Sequence, residues 1–171
     1  MNPDDLYKEA ASAYGAALER LVRAYEADPE RRRDLLQEIH FALWRSFRGY
    51  ETRCSLRTWI YRIAHNTAAS HIVRQRRSNL RNLISLEDVT VTPNASDHGR
   101  ESENRMALER LYQLIHQLKP LDRQLMLLYL EDMDAASIGE ITGISPGAVR
   151  VQIHRIKTIL SQRFHAGGAH E

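Results

Sequence analysis

The stretch from Asp134 to Phe164, DAASIGEITGISPGAVRVQIHRIKTILSQRF, stops one helix and starts another between Gly143 and Pro146. Ile138 and Ile141 mark the apolar edge of the first helix, and Gly143 follows as its stop, because a helix often ends on a left-handed residue that Gly adopts cheaply. Ser145 supplies an N-cap hydroxyl, and Pro146 suits a first helical position, where no amide is needed. Val149, Ile153, Ile156 and Leu160 recur at spacings of four, three and four, which puts them on one buried stripe. The opposite face carries Gly147, Arg150, Val151, His154 and Lys157. From Ala148 to Phe164 there are three Arg and one Lys and no acid. A short helix, a Gly turn and a cation-bearing second helix form a helix-turn-helix, its second helix shaped for a major groove. A helical hairpin with a solvated basic face is the competing reading of this stretch alone. Gly139, in the middle of the first helix, is read as a small residue that lets the second helix approach closely.

Most of the remaining chain has the same 3.6-residue periodicity and no strand-like alternation, so the 171 residues are expected to be all-α. Charge divides them. Residues 1–77 hold 14 Lys/Arg against 10 Asp/Glu, residues 78–104 hold 2 against 5, and residues 105–171 hold 8 against 7. Two basic-leaning lobes joined by an acidic connector suggest a polyanion touched at both ends. Residues 78–104 are polar and carry Pro93 and Gly99; they are expected to be an extended, flexible linker, too long for an ordinary loop inside one domain.

In chain order, residues 5–27 are predicted to form an amphipathic helix that Asp28-Pro29 ends, with Asp28 a candidate cap and Pro29 at the next helical position. Arg31, Arg32 and Arg33 read as a solvated face. Residues 34–48 are predicted to form a second helix with Leu36, Ile39, Leu43 and Phe47 as its stripe, flanked by Leu35 and Trp44. Asp34, Gln37, Glu38 and Arg45 lie opposite, and Phe41 falls among them. An aromatic ring among charges is either an anchor for a partner or is covered by a neighbouring helix, and the pattern leaves both open. A turn at 49–52 leads to a third helix, with Leu56, Trp59, Ile60, Ile63 and Thr67 expected to be buried. Helices over 105–118, on Leu108, Leu111, Ile115 and Leu118, and over 121–130, on Leu125, Leu128 and Tyr129, precede the opening motif. Residues 165–171 are expected to fray.

Between Thr52 and Leu86 there is no acid, yet Arg53, Arg57, Arg62, Arg74, Arg76, Arg77 and Arg81 all fall there. A merely solvated face mixes signs. Arginines for phosphates, with rings that stack on unpaired bases, are the chemistry of single-stranded nucleic-acid binding. Trp59 is assigned to the core, which leaves Tyr50 and Tyr61 as the freer stacking candidates.

The sequence also excludes function classes. MNPDDLYKEA is acidic and lacks the apolar core of a signal peptide. The longest apolar run, Leu125–Leu130, is far too short to span a membrane. Cys54 is the single cysteine, which forbids an intrachain disulfide and a cysteine zinc cluster and fits a reducing cytoplasm. The eight His residues are scattered. No phosphate loop, nucleophile motif or paired-carboxylate site occurs, so neither metal, cofactor nor enzymatic activity is expected.

Three stretches, DLLQEIHFALW (34–44), SLRTWIYRIAHNTAASHIVRQRR (55–77) and LKPLDRQLMLLYLEDMDAASIGEITGISPGAVRVQIHRIKTIL (118–160), occur in the order of a sigma factor of bacterial RNA polymerase. The chain resembles the extracytoplasmic-function (ECF) type, which keeps two helical domains, regions 2 and 4. The resemblance implies an all-α, non-enzymatic initiation factor: residues 1–77 as a region 2-like domain, 78–104 as linker and 105–171 as a region 4-like helix-turn-helix domain. It implies that Asp34, Gln37, Glu38 and Phe41 dock on the β′ clamp helices of core polymerase. Loop 49–55 with Arg62, His65 and Asn66 is implied to capture flipped bases of the −10 element, and Tyr50, Tyr61, Arg74, Arg76 and Arg77 join that set from the basic zone. Ser145, Gly147, Arg150, Val151, His154 and Lys157 match the helix that reads the −35 element. The implied partners are core polymerase, through its β′ clamp helices and β flap, promoter DNA and an anti-sigma factor, in the cytoplasm without membrane insertion. Thr52-Arg53-Cys54 stands where the family has a small, Gly-containing stretch, His40 where it usually has an apolar residue, and Gly139 where it usually has Ala. An ordinary helix-turn-helix regulator would account for 105–164 but not for the arginine zone. A helical scaffold with incidental basic faces is a third reading.

Overall fold

The computed structural model describes residues 2–82 and 99–166. They form seven helices: α1 (Pro3–Tyr25), α2 (Pro29–Ser46), α3 (Leu56–Asn82), α4 (Gly99–His116), α5 (Pro120–Leu130), α6 (Ala135–Thr142) and α7 (Pro146–Ala166). No strand occurs among the described residues, as the periodicity requires.

Side chains set the helix starts. Asn2 accepts the Asp4 amide, Asp28 accepts those of Glu30 and Arg31, and Asp134 accepts those of Ala136 and Ser137, each satisfying donors that the first helical turn leaves free. Because the Asp28 cap operates at once, α2 begins at Pro29, five residues before the predicted 34. The arginine run is therefore helical, and Arg32 is not merely solvated. Its guanidinium donates to the Glu26 and Ala27 carbonyls at 2.8 and 2.6 Å, closing the C-terminal end of α1.

The first lobe packs α1, α2 and α3 around Leu18, Leu35, Ile39, Leu43, Ile60, Ala64 and Ala68, all at most 1% exposed. The second packs α4–α7 around Ile115, Leu125, Leu128, Ile138, Val149 and Ile156. The α7 stripe of Val149, Ile153, Ile156 and Leu160 is buried as its spacing predicts. Elsewhere the buried face is rotated. On α2, Leu35 lies in the core and Leu36 is half-buried. On α3 the interior takes Thr58, Ile60, Tyr61, Ala64, His65, Ala68 and His71, while Trp59, Ile63 and Thr67 are half-buried. Leu108 and Tyr129, predicted to pack, are exposed.

The expected linker is shorter than 78–104, since α3 runs on to Asn82 and α4 begins at Gly99; its middle lies outside the described residues. So does the tail beyond Ala166, while His165 and Ala166, expected to fray, still belong to α7. The two lobes pack directly on each other, α1 against α4 and α3 against α5 and α6. Among the described residues no helix is long and apolar enough to cross a membrane.

Candidate nucleic-acid interface

The turn before α7 is built as its sequence suggests. Gly143 has φ 79°, the left-handed value that favours glycine, and its amide closes on the Gly139 carbonyl at 2.8 Å. The Ser145 hydroxyl accepts the Ala148 amide at 3.2 Å. A Cβ on Gly139 would lie 2.7 Å from the Ile144 carbonyl oxygen, so the close approach at this glycine is made by the turn itself. The outer face of α7 is open. Gly147, Arg150, Val151, His154 and Lys157 are all exposed, Val151 by 71%. Arg155 leaves that face to pair with Asp122 of α5 at 3.2 Å. Lys157 is steadied by Tyr129, its ammonium 3.1 Å from the hydroxyl and 5.0 Å from the ring centre. This pairing explains why Tyr129 is a surface residue. Arg150 and His154 stand one turn apart beside an apolar Val151, a set able to reach base edges and thymine methyls in one groove.

The first lobe carries a second basic surface. A short 3₁₀ turn, Phe47–Gly49, leads into a loop in which the Tyr50 hydroxyl donates to the Cys54 carbonyl at 2.8 Å. Thr52 adopts φ 57°, a conformation uncommon for a β-branched residue. Beneath the loop a cavity of about 580 Å³ is lined by Tyr50, Arg53, Cys54, Trp59, Arg62 and Glu140. Tyr50 and Trp59 lie with ring centres 5.3 Å apart and their planes tilted by 52°, and the Trp59 indole donates to the Ser46 hydroxyl at 3.0 Å.

Tyr61 therefore does not take the role expected of it, while Trp59, half-buried against the core as expected, also borders the loop. Trp59 lines the cavity, and Tyr61 is buried. Its ring meets Tyr14 edge-on at 6.2 Å and its hydroxyl donates to the Glu131 carboxylate at 3.0 Å. His65, also expected at the DNA, is 1% exposed and hydrogen-bonded to Tyr25 in the lobe interior. A polar ring is tolerated there because its partner crosses from α1, a contact that sequence spacing cannot show. Asn66, Arg74, Arg76 and Arg77 are exposed, Arg62 is half-buried and Tyr50 half-buried.

On α2, Asp34, Gln37 and Phe41 are exposed, Phe41 by 59%, which decides its alternatives in favour of an open ring. Glu38 is engaged instead by Arg74 and by His71 at 3.4 Å. A groove of about 550 Å³ runs from Glu38 and Phe41 past Arg45 to Asn66 and Arg74.

Residues of the lobe boundary escape sequence reading. Glu131, at the end of α5, accepts Arg20 Nε and Nη2 at 2.7 and 2.8 Å, and its carbonyl accepts Arg57. Burial raises the Glu131 carboxyl, but the hydrogen bonds and charges of Arg20, Tyr61 and Arg57 outweigh it and hold the group below its usual range. Burial and the Glu131 charge push the Tyr61 phenol up. Arg123 caps the His116 and Leu118 carbonyls and stands over the Tyr25 ring, 5.8 Å from its centre. No periodicity marks any of these, because each acts across the lobes. Among the described residues no three His, Cys, Asp or Glu side chains converge in a way that could hold a metal ion.

Comparison with known proteins places these surfaces in a family setting. Residues 10–78 match the family described as Sigma-70 region 2, and residues 108–160 match Sigma-70, region 4. The chain is 33% identical over 155 residues to the RNA polymerase sigma factor CarQ of Myxococcus xanthus, an alignment covering 89% of this chain and 83% of that one. It is 30% identical over 139 residues to the ECF RNA polymerase sigma-E factor of Haemophilus influenzae, covering 77% and 73%. Its fold is similar to that of the sigma factor RpoE of Bartonella quintana in complex with the anti-sigma factor NepR. The TM-score is 0.72 at 16% identity, over 91% of this chain and 94% of that one. It is also similar to CnrH in complex with the cytosolic domain of CnrY, with a TM-score of 0.65 at 19% identity, over 94% and 88%.

Proposed function

Because the chain belongs to the extracytoplasmic-function sigma factors of RNA polymerase, we propose that its two basic surfaces divide the promoter between them. A sigma factor binds core polymerase and promoter DNA and directs promoter-specific transcription; these are non-enzymatic initiation factors. In this chain, α7 reads the upstream, −35 element through Arg150, Val151 and His154, with Ser145, Gly147 and Lys157 toward the phosphates. The surface of the first lobe around Tyr50, Trp59, Arg62 and Asn66 takes opened −10 DNA, and Arg74, Arg76 and Arg77 follow the backbone. Phe41 anchors the β′ clamp helices, with Asp34, Gln37 and Glu38 around it, and the second lobe meets the β flap. Residues 1–77 and 105–171 are the two working domains, extended by the end of α3 and the start of α4, which leaves 83–98 as their connector. The chain has no catalytic role of its own and acts in the cytoplasm.

One observation supports this division above the rest: the α7 face is open and cationic, while the rings of Tyr50 and Trp59 stand beside Arg53 and Arg62 at the cavity of the first lobe. An anti-sigma factor is a further partner, since a sigma factor of this fold was solved with one. Run-off transcription with core polymerase, with and without this protein, tests the reading, and comparing duplex with pre-melted templates tests the division. Arg150→Ala is expected to change upstream base preference on both templates. Arg62→Ala is expected to impair the duplex more than the pre-melted one. Equal defects of Arg62→Ala on both, with no change of preference for Arg150→Ala, would refute the division.

A further inference from the structure

His71 is buried on α3, with its two ring nitrogens between carboxylates from two other helices. Nδ1 lies 3.4 Å from Glu38 of α2, and Nε2 lies 3.8 Å from Glu26 at the end of α1. One turn along α3, the Gln75 amide nitrogen is 2.6 Å from His71 Nε2 and 2.8 Å from Glu26 Oε2. Glu26 also accepts the Asp28 amide at 2.9 Å.

One placement of protons satisfies this cluster. A carboxylate can only accept, so the Gln75 group that faces Glu26 is its NH2. That NH2 also meets His71 Nε2, where a ring proton would oppose it donor to donor. Nε2 is therefore the acceptor, and a neutral imidazole that accepts at one nitrogen donates at the other. The remaining N–H, on Nδ1, points at Glu38. The buried end of the cluster thus fixes the tautomer, and the tautomer fixes the outer carboxylate.

We propose that His71 is a positioning residue for polymerase docking: it holds the Glu38 carboxylate at the rim of the groove between α2 and α3, in the orientation that core polymerase meets. This rests on the reading of Glu38 and Phe41 as part of the docking surface. The two side chains line the same groove and are three apart on α2, which makes them neighbours on its surface. Arg74 grips Glu38 as well, but its side chain is 61% exposed, so water and salt share it. The His71 side chain is 9% exposed, and its hydrogen bond to a charged acceptor is less screened. Holding one rotamer of Glu38 before docking removes an ordering cost that association would otherwise carry.

The test uses the full chain as wild type, His71→Asn, His71→Gln, Glu38→Gln and the His71→Gln, Glu38→Gln double variant. Titration of the labelled chain with core polymerase gives the affinity, and calorimetry gives Tm. Asn carries its N–H near the place of Nδ1, whereas Gln carries it near that of Nε2. His71→Asn is therefore expected to assemble nearly as wild type, and His71→Gln to weaken assembly about tenfold, the size of one hydrogen bond to a charged group. That loss should disappear when Glu38 is already Gln, as a double-mutant cycle requires of residues that act through each other. Gln75→Met, a milder change at a half-buried position, removes the donor that sets the tautomer and should weaken assembly in the same Glu38-dependent way. Equal losses for His71→Asn and His71→Gln in step with Tm, or a His71→Gln loss unchanged by Glu38→Gln, would make His71 a packing residue and overturn the proposal. Glu38→Gln without effect on assembly would overturn the docking assignment of Glu38, and the role of His71 with it; Phe41→Ala then shows whether the rest of that surface still docks.

Discussion

The Tyr25 hydroxyl lies 2.8 Å from Nδ1 of His65, and both rings are sealed between α1 and α3. Burial pushes the His65 imidazole down to about 3 from its ordinary 6.5, so it stays neutral when folded. The unfolded chain therefore binds more protons at this site between those two values, and stability present above 6.5 is lost as pH falls through that window. Burial lowers His40 and His116 as well, which adds in the same direction. At pH 5 the His65 term alone costs about 2 kcal/mol, at roughly 1.4 kcal/mol per pH unit. Urea midpoints at about pH 7.5 and 5 should differ accordingly, and equal midpoints would rule this out. The Glu131 carboxylate, held low, contributes stability above its usual range that is lost only in stronger acid.

Phe41 stacks loosely, 6.2 Å from Trp44 and 5.9 Å from the Arg45 guanidinium. Because the ring is mostly open, Phe41→Ala should change stability by no more than about 0.5 kcal/mol. A central aromatic anchor is worth about 2 kcal/mol or more at an interface, so assembly with core polymerase should weaken at least tenfold. Calorimetry beside a fluorescence binding titration checks both. A large fall in Tm would show that the ring serves the fold instead.

On α7, Arg150→Ala should relax base choice in the upstream element by about 1–3 kcal/mol, the size of one bidentate contact. Lys157, held on Tyr129 and assigned to phosphate, should act without regard to sequence. Lys157→Ala is expected to weaken all duplexes alike and to reduce the salt slope of binding by about one. A binding matrix across single-base variants at several salt concentrations separates the two effects. Sequence-dependent loss in the Lys157 variant would contradict it.

Gly139→Ala should lower Tm. Helix propensity favours Ala by about 1 kcal/mol, but the new methyl meets the Ile144 carbonyl at 2.7 Å, and overpacking costs about 1–3 kcal/mol. A variant at least as stable as wild type would show that the turn yields freely.

The reach of sequence reasoning follows the range of the forces involved. Caps, turns and the four-three-four stripe of α7 act within a few residues, so Gly143, Ser145 and the buried Val149–Leu160 face were legible from order alone. So were the all-helical class, the resemblance in which three motifs in sequence identify the family, and the exposure of Phe41 as one of two alternatives. Boundaries slipped where a cap acted earlier than periodicity suggested, as at Asp28.

What the sequence by itself determined is the set of helices and the chemistry each can offer. Only the tertiary structure decided which polar side chains would be spent inside. Tyr61 and His65 carry the residue types of a DNA surface, yet they are buried because Glu131 and Tyr25 come to them from distant points of the chain. Trp59 has the composition of a core residue and lines a cavity, because the inner face of α3 is already filled by Ile60, Ala64 and Ala68. A hydrogen bond across elements can reverse the burial that hydropathy assigns, since a buried polar group is cheap once paired and costly when left alone, and pairing exists only after the helices have met.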